Sequence, residues 1–511
     1  MSAALGMLGA WLLVGFAGHG CLRAFGRRSY GPEALGLSLL VGATLLAGLA
    51  MALSPWHAVN GWSLGLGLLL IGALGWLRSG AKVESHGHTT QSNPHVASAS
   101  QTLQQTTSSV RSSQPAEGAP HMSQQAKSNR DTLSQTGSFG HALQHVQTKC
   151  RALKWLTFVP ALLVVGITFV QAFSRPVYNV DAQRRWVLHS QWTAAEGTLV
   201  PASVQAESFG ASHPSYPPVI TALGALALEL GADRDWGMRP GFPVFLLALL
   251  GVVHGFAWRR AGPLAATLIT TVLALTPALS YTDQLGLGAA AAHADIALAA
   301  FLTAAATLYL ERAENRDSSP MAALCAVALG AVWTKNEGMA FLLVMPVLAL
   351  VWGWRRPVER RSAIAVLLVA IVGIALWKFQ ARYMPIAPGE DYVSGGVLAA
   401  LSAGVERLPT IVRRLFTEFA TTDLWGYLWF GWPLAIALGL WRRAGRLFWL
   451  ANVWLLAGLG LVVAAYVATG WKGDNYTALM DVSLARLIAH HAPLVVVLFA
   501  LLFAPRPATH E

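Results

Sequence analysis

Carboxylates, cations and aromatic side chains gather in a few short stretches of this chain, and their types suit acid–base chemistry and anion binding. Asp181 opens a helical-looking stretch and is followed by Arg184, Arg185 and Trp186. A carboxylate so placed serves as a helix N-cap, a general base or a metal ligand. The run His213-Pro214-Ser215-Tyr216-Pro217-Pro218 presents His213 and Tyr216 on a proline-stiffened segment, as polar contacts to a ligand or as an anchor at a lipid–water interface. His293 and Asp295 begin an apolar run. A carboxylate at a membrane edge is costly and tends to be functional, and the pair also counts as two candidate ligands for a divalent cation. Lys335 and Glu337, within Thr334-Lys335-Asn336-Glu337-Gly338, form either a local ion pair or a cation for a lipid phosphate with Glu337 orienting it. Arg486 precedes the last apolar run. Its guanidinium suits a bidentate grip on phosphate, and Arg413 and Arg414 compete for that task.

The elements that position these residues are transmembrane helices. The chain of 511 residues is 54% hydrophobic and 12% charged, with a mean hydropathy of +0.48. A soluble domain is about 25% charged, so this one lacks the polar surface to face water on all sides. At roughly 20 apolar residues per crossing, the runs predict about thirteen spans. They fall at 5–21, 34–53, 59–77, 155–174, 241–258, 263–281, 294–310, 319–333, 339–354, 362–380, 424–441, 447–469 and 490–504. Helices are the expected form because each satisfies its own backbone groups in lipid. Cys21, Cys150 and Cys325 are scattered and suggest neither a zinc site nor a disulfide framework. The first apolar run lacks a basic leader and a cleavage site, and reads as a retained helix.

The net charge of +11 has its source in the turns. Arginines and lysines cluster at 23–28, 78–82, 149–154, 259–260, 312–316, 355–361 and 442–446, all on one side if the spans alternate. The positive-inside bias makes that side cytoplasmic, and it leaves every stretch described above on the other side. No basic–aromatic stripe points to nucleic acid as a partner.

Residues 1–78 read as a three-helix N-terminal membrane module. Residues 79–150, rich in Ser, Gln, Thr and His, read as a disordered cytoplasmic linker that cannot bury enough apolar surface to order itself. Residues 151–511 form the larger module. Within it, 175–240 is a long loop with a helical run over 180–192 and an apolar run over 217–230, too short to span and expected to lie at the interface. A second loop, 381–423, carries an amphipathic helix near 397–419.

Taken together, Asp181, the His-Pro-x-Tyr-Pro-Pro run, Ala294-Asp295-Ile296, Thr-Lys-Asn-Glu-Gly and Leu484-Ala485-Arg486 before a final helix resemble the bacterial GT-C glycosyltransferases of the protein mannosyltransferase and aminoarabinose transferase type. The likeness covers roughly residues 150–505. It implies an all-α polytopic fold with extracytoplasmic juxtamembrane helices, in a bacterial inner (plasma) membrane, with the active site extracytoplasmic. It implies transfer of a sugar, with inversion, from a polyprenyl-phosphate donor among membrane lipids to an acceptor lipid, glycan or protein. By position, Asp181 matches the acidic residue of the first large loop, although Ala182 stands where many relatives have a second carboxylate. The roles that follow are Asp181, Asp295 and Glu337 as catalytic groups, and Lys335, Arg486, Arg184, Arg185, His213 and Tyr216 as substrate or phosphate contacts. No nucleotide is required, and a divalent metal at His293 and Asp295 is an open possibility. The competing readings are a lipid-linked sugar flippase or transporter, a polysaccharide polymerase or ligase, and a non-catalytic scaffold.

Overall fold

A computed structural model describes residues 2–25, 31–87, 152–174, 177, 182–205, 215–233, 238–280, 288–314, 320–384, 397–469 and 475–504. Among them there are helices and turns but no strand. Two compact units are present. The smaller comprises Leu77–Leu153. Most of it, including the stretch expected to be a disordered linker, lies outside the described residues. The larger comprises Met1–Trp76 together with Lys154–Glu511, so the first two N-terminal helices and the third up to Trp76 belong to the same compact unit as the remainder of the membrane domain.

Nine helices among the described residues are long and apolar enough to cross a membrane, and the chain is an all-α, multi-pass membrane protein. Seven are α1 (Ser2–Ala24), α2 (Pro32–Leu53), α3 (Gly61–Gly87), α7 (Gly241–Ala274), α8 (Ala294–Ala313), α10 (Asn336–Gly353) and α11 (Pro357–Gln380). The others are α15 (Arg446–Ala468) and the pair α16 (Asn475–Ala489) and α17 (Pro493–Leu502), which together make one crossing. Three shorter apolar helices account for further expected spans: α4 (Val159–Ser174), α9 (Met321–Val332) and α14 (Leu428–Trp441). The two runs expected at 241–258 and 263–281 form α7, which breaks at Gly262. There φ is +84°, a value open to glycine, and Pro263 follows without an N–H to give.

α8 is the centre of the bundle. Its apolar window is wholly buried, and α2, α7, α9, α11, α15, α16 and α17 all pack against it. Alanine on every side, including Ala297, Ala300, Ala304 and Ala305, is what a helix surrounded by other helices requires. Small residues draw α1 onto α2 in the same way. A Cβ at Gly42 would overlap the Val14 carbonyl, and one at Gly18 would overlap the Ser38 carbonyl. Tryptophan N–H groups inside the bundle find backbone carbonyls on neighbouring helices: Trp333 Nε1 donates to Gly373 O at 3.0 Å and Trp454 Nε1 to Met345 O at 3.1 Å.

The two ends of the larger unit are chemically distinct. At one end Arg259 in α7 joins Glu33 of α2 to Glu311 of α8, and Arg260 pairs with Glu314. Arg446 of α15 pairs with Glu359 of α11 there. The other end holds the start of α8 and the junction of α9 with α10. The 20 residues of α8 separate the two by about 30 Å at 1.5 Å per residue.

Helix α6 (Val219–Glu229) departs from expectation. It does not lie open at an interface: Val219 through Ala227 are buried, against α1, α2 and α5 (Leu188–Glu196). Its sequence VITALGALALE is small and apolar around the whole circumference, so no polar face remains for water. The helix expected near 397–419 is two, α12 (Val397–Gly404) and α13 (Leu408–Phe419), joined by a tight turn at Val405–Arg407. In α13, Ile411 and Leu415 are buried four residues apart while Phe416 faces outward.

The α1–α2 contact gives a direct test. Gly42→Val should force the helices apart and destabilise the bundle by about 1–3 kcal/mol, the usual range for overpacking. It should be read as a lowered apparent Tm of the detergent-purified protein, while Gly166→Val, where a Cβ meets nothing within 4 Å, should leave Tm unchanged.

Candidate functional site

The site begins with the first turn of α8. His293 is the N-cap, in extended conformation, and Asp295 enters the bundle two residues later. Its side chain is 7% exposed, in a region where an unpaired charge would be prohibitive. Three donors meet it. Lys335 Nζ lies 2.7 Å from Oδ1, His490 Nε2 2.8 Å from the same oxygen, and Arg486 Nε 3.0 Å from Oδ2. His293 Nδ1 stands 3.7 Å from Oδ2.

The partners come from two other helix ends. Lys335 precedes α10, where the chain turns out of α9 with an extended backbone. Thr334, also buried, closes that turn by donating to Gly330 O at 2.6 Å. Lys335 also pairs with Glu337 at 3.2 Å, so two of its three N–H groups have carboxylate partners. The second carboxylate oxygen of Glu337, Oε2, and the amide oxygen of Asn336 are buried with no hydrogen bond among the described residues. Two acceptors without donors beside a cation are suited to the hydroxyl groups of a ligand. Arg486 and His490 stand four residues apart, on one face of the chain where α16 ends.

A second layer lies beside Lys335. The Tyr216 ring centre is 5.9 Å from Lys335 Nζ and equally 5.9 Å from the Arg185 guanidinium carbon. Three anchors hold its strand of chain: Arg185 Nη2 donates to Tyr216 O at 2.5 Å, Trp377 Nε1 to Ser215 O at 2.9 Å, and Val219 N to Trp333 O at 2.9 Å. Arg185 lies in a wide π-type turn, Ala182–Val187. Such turns recur at functional sites because they rotate a side chain off the regular helical face. Its other nitrogen donates to His189 Nδ1, whose Nε2 donates in turn to Leu199 O at 3.1 Å. Burial pushes the Arg185 guanidinium down to about 9, which leaves it protonated at neutral pH.

Comparison with family models, curated proteins and solved structures finds no match to this chain. The site therefore rests on its own geometry. Of the residues singled out in the sequence, Asp295, Lys335, Glu337 and Arg486 converge, with His293, Tyr216 and Arg185 close by. Arg184 is exposed and does not join them. Arg414 pairs with Asp481 at 2.8 Å on the surface, and Arg413 is also exposed, so Arg486 is the arginine that reaches the cluster. Asp181 and His213 lie outside the described residues. His490 was missed, although its i, i+4 spacing from Arg486 was a readable signal.

A cation at His293 and Asp295 would face a difficulty of charge. Both oxygens of Asp295 already meet Lys335, Arg486 and His490, and a divalent ion there would compete with two fixed positive charges for the same lone pairs.

The ion pairs are testable by removal. Asp295→Leu removes the carboxylate that Lys335 and Arg486 share, leaving Lys335 only Glu337, and should cost about 3–5 kcal/mol, the range for one-sided disruption of a buried pair. Adding Lys335→Met should recover part of the loss in apparent Tm. Full additivity of the two changes would show that the pair is not coupled.

Proposed function

We propose that the protein is a membrane glycosyltransferase of GT-C type, moving a sugar from a polyprenyl-phosphate donor to an extracytoplasmic acceptor with inversion. The observation that carries this reading is the convergence of Asp295, of Lys335 with Glu337, and of Arg486 from three helix ends into one cluster around the buried Asp295 and Lys335. That cluster lies at the end of the bundle opposite the arginine belt, which the positive-inside bias assigns to the outer leaflet. Cations at that level suit a lipid phosphate, and the acceptor atoms of Glu337 and Asn336 suit sugar hydroxyls.

In this reading Lys335 and Arg486 hold the donor phosphate. The acceptor oxygen or nitrogen attacks the anomeric carbon from the opposite face, and the bond from that carbon to the phosphate oxygen breaks. The electron pair leaves with polyprenyl phosphate, whose growing charge is met by cations already in place. The acceptor's proton passes to Asp181 as general base. Asp295 is a positioning residue: its oxygens orient Lys335, Arg486 and His490, and it would have to release one of them to take a proton. Glu337 binds the sugar while also fixing Lys335. Tyr216, between Arg185 and Lys335, forms a wall of the donor site.

Three measurements on protein reconstituted with a polyprenyl-phosphate sugar test the proposal. Lys335→Met should lower kcat by about 10²–10³-fold, the range for loss of one preorganised donor, with a smaller effect on KM. Asp181→Asn should abolish transfer and leave donor binding intact; normal turnover would remove Asp181 from the reaction. Exhaustive chelation should leave turnover unchanged, since the positive charge comes from side chains. A loss restored by added Mg²⁺ or Mn²⁺ would bring a metal into the site. Movement of the lipid-linked sugar across the bilayer without bond formation would favour the flippase reading instead.

A further inference from the structure

The arginine-rich end of the bundle carries a cleft that the proposed reaction does not use. Its volume is about 1270 Å³, and its charged lining is Arg260, Arg356, Arg442, Arg443 and Arg446 against a single acid, Glu314. Arg260 pairs with Glu314 at 2.5 Å, and Arg446 pairs with Glu359 of α11. Arg356 stands 3.8 Å from the same glutamate, whereas Arg443 is exposed and has no ion pair among the described residues. Arg443 thus brings a guanidinium to the cleft that no glutamate among the described residues pairs with.

The backbone adds an independent observation. α14 ends in a Schellman turn, with Ala444 N donating to Gly439 O at 2.7 Å and Arg443 N to Leu440 O at 3.1 Å. The residue at its pivot is Arg443, with φ +50°. That left-handed position is ordinarily glycine's, because a Cβ there crowds the carbonyl. An arginine stands where the backbone favours glycine, and it lines the cleft.

The rim belongs to a membrane surface. Trp441, at the last position of α14, is 80% exposed, and Phe503, just past α17, is 47% exposed. Aromatic rings at the ends of apolar helices sit at headgroup level. Leu434 and Leu440 continue an outward apolar face along α14.

We propose that this cleft binds the headgroup of an anionic lipid carrying more than one phosphate, with its acyl chains against the exposed face of α14. Guanidinium groups match phosphate oxygens in charge and geometry; Arg260 and Arg446 are held by Glu314 and Glu359, and the exposed Arg356 and Arg443 offer one guanidinium to each of two phosphates. The assignment is independent of the transfer reaction at the far end of α8.

The test uses the full-length protein in detergent, titrated with cardiolipin, with phosphatidylcholine and, separately, with inorganic pyrophosphate, and read by native mass spectrometry. Cardiolipin should be retained at least about tenfold more strongly than phosphatidylcholine, as expected when several arginines meet an anionic headgroup. Arg443→Gly places the favoured residue at the turn, so apparent Tm should hold or rise while cardiolipin retention falls. Combining it with Arg356→Gln should deepen the loss. Equal retention of the two lipids, or unchanged cardiolipin binding by Arg443→Gly at an unchanged Tm, overturns the proposal. Binding of pyrophosphate to a protein that does not retain cardiolipin overturns the lipid assignment in favour of a soluble polyphosphate.

Discussion

A carboxylate carried into the interior of a helical bundle must be met by donors, and Asp295 is met by three. It stands on a spanning helix wholly enclosed by its neighbours, so the donors had to come from other parts of the chain. Lys335 arrives from the α9–α10 turn, and Arg486 and His490 from the end of α16. Each distance is set by the geometry of a single side chain, which leaves little freedom in the rotation and depth of those helix ends. The charge requirement thus fixes the architecture of this end of the protein, and the arrangement of Glu337, Asn336 and Tyr216 around Lys335 follows from it.

The opposite end meets its buried carboxylates in the same way. There arginines of α7 and α15 reach glutamates of α2, α8 and α11. Between the two polar layers the contacts are alanine, glycine, large aliphatic side chains and aromatic rings such as Phe245, Phe301 and Trp454. Lipid supplies no hydrophobic drive for such helices to associate, so close approach of small residues carries the packing. The two ion-paired layers then set register, since sliding one helix along another would separate charges in a poor dielectric.

Much of this was legible in the sequence. Long apolar runs broken by arginine turns specify helices by their length and composition alone, and the break in α7 was marked by Gly262-Pro263. The chemical types at the site were readable because charged residues are rare in such a chain and stand out at helix ends. Their pairing was not readable. Arg184 and Arg185 are adjacent, and about 100° of helical rotation decides which one is buried. Arg414 and Arg486 both border apolar segments, and only the packing of α13 and α16 separates a surface pair with Asp481 from a partner for Asp295. The packing of α6 was hidden for a related reason: an apolar segment of eleven residues looks the same whether its faces meet lipid or protein. The polar composition of residues 79–150 suggested a separate N-terminal module, whereas α1 and α2 pack directly onto α6, α7 and α9.

The enclosure of α8 bears on how the chain enters the bilayer. Its hydropathy, 1.4, is near the low end of the spanning helices, where α11 reaches 2.3. Alanine transfers into hydrocarbon with little gain, and an aspartate in the first turn opposes transfer outright. α8 is therefore a weak membrane segment when considered alone, and its stability in the bilayer comes from company. The lysine that neutralises its charge lies downstream, at the junction of α9 and α10, so the pairing that holds α8 in place forms only once those two helices have joined it.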